Sequence, residues 1–116
     1  MTQKITIFLE HILINLNKIE SHLQKVSKAH FLKDENLQDA TLRRLEIIGE
    51  AVKNIPATFR DQHPEIPWTD IAATRDKIIH HYFGVDLITV WKIIKNDLPK
   101  LQAQISEIMQ ELSSNK

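Results

Sequence analysis

Arg75, His80 and Tyr82 fall in one run, Arg75-Asp76-Lys77-Ile78-Ile79-His80-His81-Tyr82, whose spacing predicts a helix. An arginine holds a permanent charge and a planar fork of donors that matches phosphate oxygens. A histidine trades protons near neutral pH more readily than any other side chain. A charge clamp and a proton shuttle are what metal-free cleavage of RNA requires. Tyr82, seven residues after Arg75, returns close to the same direction on the helix. It reads either as an interface aromatic with a wet hydroxyl or as a hydroxyl beside a phosphate site, open to hydrogen bonding or modification.

The spacing also constrains how these groups meet. Trp68, Ile71, Arg75, Ile78 and Tyr82 recur in steps of three and four, so Arg75 takes a place that the pattern reserves for an apolar side chain. A guanidinium there must be paired or must face a cleft. One reading is a structural salt bridge to Glu46 or Glu50; the other is a working group in a cleft. His80 lies about 140° around the helix from Arg75. It shares a face with Thr69, Asp76 and Phe83. Asp76 precedes His80 by one turn, which allows a hydrogen bond that selects the tautomer and raises the basicity of the ring. A long arginine side chain, a local distortion or a second copy of the helix must close the angular gap. The last option points to a symmetric dimer. His81 points away from His80, and His11, His22, His30 and His63 show no ligand spacing, so no metal site is expected.

Composition narrows the class. Fifteen basic and fifteen acidic residues cancel, so the chain gains no global attraction to a polyanion. That disfavours a general nucleic-acid-binding module but not an enzyme that grips one phosphate. The absence of cysteine excludes disulfides, thiolate zinc sites and a cysteine nucleophile. Residues 1–10 lack the layout of a secretion signal, and no apolar run reaches the length of a membrane span. A soluble, cytoplasmic protein with no membrane association is expected.

The 116 residues suffice for one domain with one core, residues 1–116, in an all-α fold: an antiparallel four-helix bundle with a short extra turn. Helix one is expected from about Thr2 to Lys28, on a seam of Ile5, Leu9, Ile12, Leu16, Ile19, Leu23 and Val26. A polar linker follows, Ala29 to Asn36, anchored by Phe31 and Leu32. Helix two runs from about Glu35 to Asn54. It is apolar on two sides, with Leu42, Leu45 and Val52 on one and Ala40, Ile47 and Ala51 on the other, which places it centrally or at a subunit contact. Gly49 in its interior marks either close helix approach or simple tolerance. The proline-rich connection carries one turn at Ala57 to Asp61. Helix three starts at Pro67 or Trp68 and ends near Phe83, with Gly84 as the stop. Asp86 caps helix four, where Pro99 predicts a kink or break in a seam from Leu87 to Leu112. Ser113 to Lys116 should fray.

Arg-x4-His-x-Tyr in a small helical chain resembles the HEPN superfamily, and within it the DUF86 or HepT branch. The likeness extends over Arg43, Leu45-Glu46-Ile47-Ile48-Gly49-Glu50-Ala51, Pro67-Trp68, Arg75 to Tyr82, Val85-Asp86, Val90-Trp91 and Asp97-Leu98-Pro99-Lys100-Leu101. The polar residue that the family places after the motif arginine is Asp76. His81 is bulkier than the small residue common at its place. The resemblance implies a homodimeric, metal-independent endoribonuclease without cofactor, the toxin of a type VII toxin–antitoxin pair. It implies Arg75 and His80 as the catalytic pair, Asp76 in support, and Tyr82 as acceptor of AMP groups. The implied partners are an RNA substrate and a cognate MntA-like minimal nucleotidyltransferase, which silences the toxin through Tyr82. The alternative is a non-catalytic helical subunit that binds a nucleotide or the nucleotidyltransferase, with Arg75 as anchor or ion pair and His80 as bystander.

Overall fold

The computed structural model describes residues 2–80 and 86–114, with the side chains of residues 2, 3, 79 and 80 outside that description. Its helices are α1 (Thr2–Leu23), α2 (Lys28–Lys33), α3 (Glu35–Lys53), α4 (Ala57–Gln62), α5 (Trp68–His80), α6 (Leu87–Lys92) and α7 (Leu98–Ser114), with a π-helical segment (Ile93–Asp97) joining the last two. Among the described residues there is no strand. No described helix is long and apolar enough to cross a membrane.

The expected all-α bundle is present. Helix α3 lies between α1 and α5, and α7 packs on α1. The α1 seam is buried as its spacing dictates: Leu9, Ile12, Leu16, Ile19 and Leu23 are all sealed from solvent. They join Leu42, Leu45, Ile48 and Val52 of α3, Ile78 of α5 and Leu101, Ile105 and Ile108 of α7 in one continuous core. Each such side chain contributes about 1.5–3 kcal/mol through its removal from water. A polar lock crosses this packing: buried Asn15 donates to the His11 carbonyl at 2.8 Å and accepts from Arg44 Nη1 at 3.2 Å.

Two boundaries differ from expectation, each for a local reason. Helix α1 stops at Leu23, and the expected linker is itself largely helical. Ser27 Oγ accepts from the His30 amide at 3.1 Å and so starts α2, while Asp34 Oδ1 accepts from the Leu37 amide at 3.1 Å and starts α3. Phe31 is fully buried and stacks at a tilt on Trp91, ring centroids 5.3 Å apart, but Leu32 is exposed and anchors nothing. On α3, Ala40 is exposed, so the second apolar side reduces to Ile47 and Ala51.

The break expected at Pro99 is present. Proline has no amide proton and its ring clashes with the carbonyl four residues back. The chain answers with a π turn before it, in which the Leu98 amide donates to the Ile93 carbonyl. Val90 is buried ahead of that turn and Ile94 within it, while Trp91 and Leu98 are only partly covered. Asp86 caps α6 as expected, accepting from the Ile88 amide at 3.0 Å and from the Thr89 hydroxyl at 2.8 Å. Helix α4 supplies the expected extra turn. Gly84 and the end of helix three near Phe83 lie outside the described residues.

Candidate active site

Helix α5 begins at Trp68, which is buried and donates its indole N–H to the His63 carbonyl at 3.0 Å. That bond pins the foot of the site helix to the proline-rich connection. Ile78 is sealed in the core and Ile71 is packed against it, so the α5 seam faces α3. Arg75, on the same seam, must therefore run along the α3 surface.

Gly49 makes this possible. A Cβ built on Gly49 would lie 2.1 Å from Arg75 Cβ and 2.8 Å from Arg75 Cγ. No real side chain fits there. Of the two explanations for a glycine within α3, close approach is the one that holds.

The guanidinium ends in a pair of charged contacts. Its Nη2 lies 3.0 Å from Glu50 Oε2, and its Nη1 donates to Asp76 Oδ1 at 3.2 Å. The Nε–H is buried and meets no acceptor among the described residues. Glu50, rather than Glu46, is the ion-pair partner; Glu46 pairs with Arg43 at 3.3 Å. The Arg75 side chain keeps 25% of its surface exposed, so the guanidinium is not sealed in the interior. Each terminal nitrogen carries two N–H groups. Among the described residues each has one contact, which leaves a further N–H on each.

Asp76 has a second partner that the sequence reading did not include. Lys53 Nζ donates to the same Asp76 Oδ1 at 2.5 Å, from the end of α3. The bond from Lys53 holds the Asp76 carboxyl below its ordinary value, with help from Arg75 and against an opposing effect of desolvation. A charge series Lys53, Asp76, Arg75, Glu50 therefore crosses from α3 to α5 and back. Lys53 lies 23 residues from Asp76, so no local pattern on α5 announces it. The available signal was on α3, where Glu46, Gly49, Glu50 and Lys53 follow each other at helical spacing on one face.

The guanidinium opens on a cleft of about 230 Å³ between α1, α3 and α5. Phe8 and His11 of α1, Arg43, Glu46 and Glu50 of α3, and Arg75 line it. Ile47 and Ala51 of α3 and its C-cap Asn54 complete the lining, so two arginines and two carboxylates share the cleft with a largely apolar wall.

The structure thus places Arg75 at a cleft and bonds it to Asp76, which does not line that cleft. His80 is the final residue of α5, about 7.5 Å further along the axis. Its side chain, and with it the expected bond to Asp76, lies outside the description. Tyr82 and His81 also lie outside the described residues.

The fold defines a small all-α helical bundle with an arginine at a cleft, and comparison with known proteins narrows its class. The ribonuclease HepT-like family matches residues 12–108, and this chain belongs to that family. It is 45% identical over its whole length to a Methanocaldococcus jannaschii protein named "Gamma-glutamylcyclotransferase and putative RNase", of which it spans 52%. It is 46% identical over 101 residues to the "Probable ribonuclease HepT" of Thermococcus cleftensis, an alignment covering 87% of this chain and 92% of that one. It is 45% identical over 104 residues to a protein of Caldanaerobacter subterraneus subsp. tengcongensis named "Putative RNase", covering 90% of this chain and 93% of that one. No solved structure matches the chain.

Proposed function

We propose that this protein is a metal-independent endoribonuclease, the toxin of a type VII toxin–antitoxin pair. The observation that carries the reading is a half-buried Arg75 with its guanidinium contacted at both ends and open to a cleft. Membership of the ribonuclease HepT-like family supports RNA as the substrate.

In this mechanism His80 takes the proton from a ribose 2′-hydroxyl. The freed oxygen attacks the adjacent phosphorus and the bond to the 5′-oxygen breaks. Arg75 stabilises the negative charge that builds on the non-bridging oxygens. The leaving 5′-oxygen takes a proton from the His80 of a second subunit, and the products are a 2′,3′-cyclic phosphate and a 5′-hydroxyl. Asp76 would orient the imidazole one turn along the helix. General acid–base help is worth about 10²–10⁴-fold per group, and preorganised donors contribute as much or more. The 2′-hydroxyl requirement confines the activity to RNA. A homodimer supplies the second histidine and closes the angular gap between Arg75 and His80.

The test is cleavage of RNA by the purified protein in EDTA, with the ends identified by mass. Wild type leaves 2′,3′-cyclic phosphates, and His80→Ala loses this by at least about 10²-fold. Equal cleavage by both proteins removes His80 from the mechanism.

The antitoxin arm has its own test. An MntA-like nucleotidyltransferase with ATP adds AMP to Tyr82, placing a new anion beside Arg75 and excluding substrate. Mass spectrometry after this reaction finds the adduct on Tyr82. Suppressed activity with no adduct refutes the modification route.

The close Arg75–Glu50 pair also favours a second reading, a non-catalytic subunit in which that pair is structural. Nucleotide binding without RNA turnover would select it.

A further inference from the structure

We propose that Lys53 and Glu50 are positioning residues for Arg75, and that they set the orientation of its guanidinium before substrate arrives. The inference rests on the proposed ribonuclease reading for its activity arm only; the geometry stands apart from it.

Four charges alternate along the contact between α3 and α5: Lys53, Asp76, Arg75, Glu50. Glu50 holds Nη2 of Arg75 and Asp76 holds Nη1, so the plane of the fork is restrained at both ends. One end alone would leave it free to turn. Asp76 is a poor anchor by itself, because it neighbours Arg75 in the chain and is about half exposed. Lys53 corrects this. It binds the same Oδ1 that receives Arg75, and fixes that oxygen from a different helix. Gly49 brings α3 close enough to α5 for the arrangement, and it lies one residue before Glu50 and four before Lys53.

Energetics separates positioning from stabilisation. These side chains are all substantially solvated except Arg75, and exposed ion pairs add little to folding stability. Their geometric effect is larger. A shift of about 1 Å in a catalytic group can cost about 10²-fold in rate. Loss of Lys53 should therefore reduce turnover while leaving the melting temperature nearly unchanged.

The experiment combines a spectroscopic and a kinetic readout on the full chain. In protein labelled with ¹⁵N-arginine, Arg75 is assigned by the signal lost in Arg75→Lys. Wild type shows slowly exchanging, resolved Nη protons for Arg75. Lys53→Met collapses them to the averaged signal of a freely rotating guanidinium, and Lys53→Arg restores them. Glu50→Gln weakens the Nη2 side in the same spectrum. On an RNA oligonucleotide, Lys53→Met lowers kcat by about 10–100-fold with KM changed far less, and Lys53→Arg recovers most of it.

An Arg75 signal unchanged in both Lys53→Met and Glu50→Gln overturns the proposal. So does a Lys53→Met protein whose melting temperature falls with its activity and which Lys53→Arg fails to rescue. A restrained Arg75 in wild type with no RNA cleavage sinks the ribonuclease reading and leaves the positioning assignment supported by the spectrum.

Discussion

At the residue scale, the charge on Asp76 links the site to pH. Its carboxyl is held below its ordinary value by Lys53 first and Arg75 second. A carboxyl whose folded pKa is depressed contributes stability above its unfolded pKa. That contribution is lost as pH falls through the lowered, folded value. Denaturant titrations of wild type and Asp76→Asn should therefore differ by a small, constant amount near neutrality, since the pairs are exposed. The difference should shrink in acid, below the ordinary carboxylate range. A gap that widens on acidification would mean that Asp76 is not held by Lys53 and Arg75.

At the element scale, the contact of α3 with α5 decides whether the site forms. Gly49→Ala gains about 1 kcal/mol in helix propensity. Against this, the new methyl meets Arg75 Cβ, which cannot swing aside as a side-chain tip can. Overpacking of this kind costs about 1–3 kcal/mol, and it displaces Arg75 from the cleft. Net destabilisation in urea with a loss of RNA cleavage is expected; a variant more stable than wild type and fully active would refute the close approach. The same elements show how far sequence reading reached. The long helices were legible because their apolar steps of three and four extend over several turns. Helix α2 was not, because six residues are too few for a period and the element depends on the flanking caps Ser27 and Asp34. Leu32 was misread for that reason: beside Phe31 it looks equally apolar, and only the helix direction separates them. The Arg75–Glu50 ion pair was legible from charge at a seam position, whereas the bonds of Asp76 to Arg75 and Lys53 were not, and the expected bond of Asp76 to His80 falls outside the described side chains. Lys53 was hidden because its partner sits on another helix.

At the scale of the whole molecule, neutrality constrains the proposed ribonuclease reading. Equal numbers of acidic and basic residues leave no broad positive field, so affinity must come from the cleft, where Arg75 and Arg43 are the cations of α5 and α3. Counterion release for a single strand lowers log K by about 0.7 per phosphate contacted for each decade of salt. With one or two phosphates gripped per site, the slope of log K against log salt should be about −0.7 to −1.4. Fluorescence anisotropy with a labelled, non-cleavable RNA measures it. A slope several times steeper would require a broad basic surface and would count against a cleft that grips locally.

Trp68 gives the molecule a built-in optical reporter. Its indole is buried at the foot of the helix that carries Arg75, and its N–H is tied to the His63 carbonyl. The other tryptophan, Trp91, sits well apart in sequence under the ammonium of Lys95, 4.7 Å from the ring centroid. Replacing Trp91 by phenylalanine would leave a single emitter at the root of the site. Its colour and lifetime would then register any tilt of that helix as nucleic acid enters or leaves.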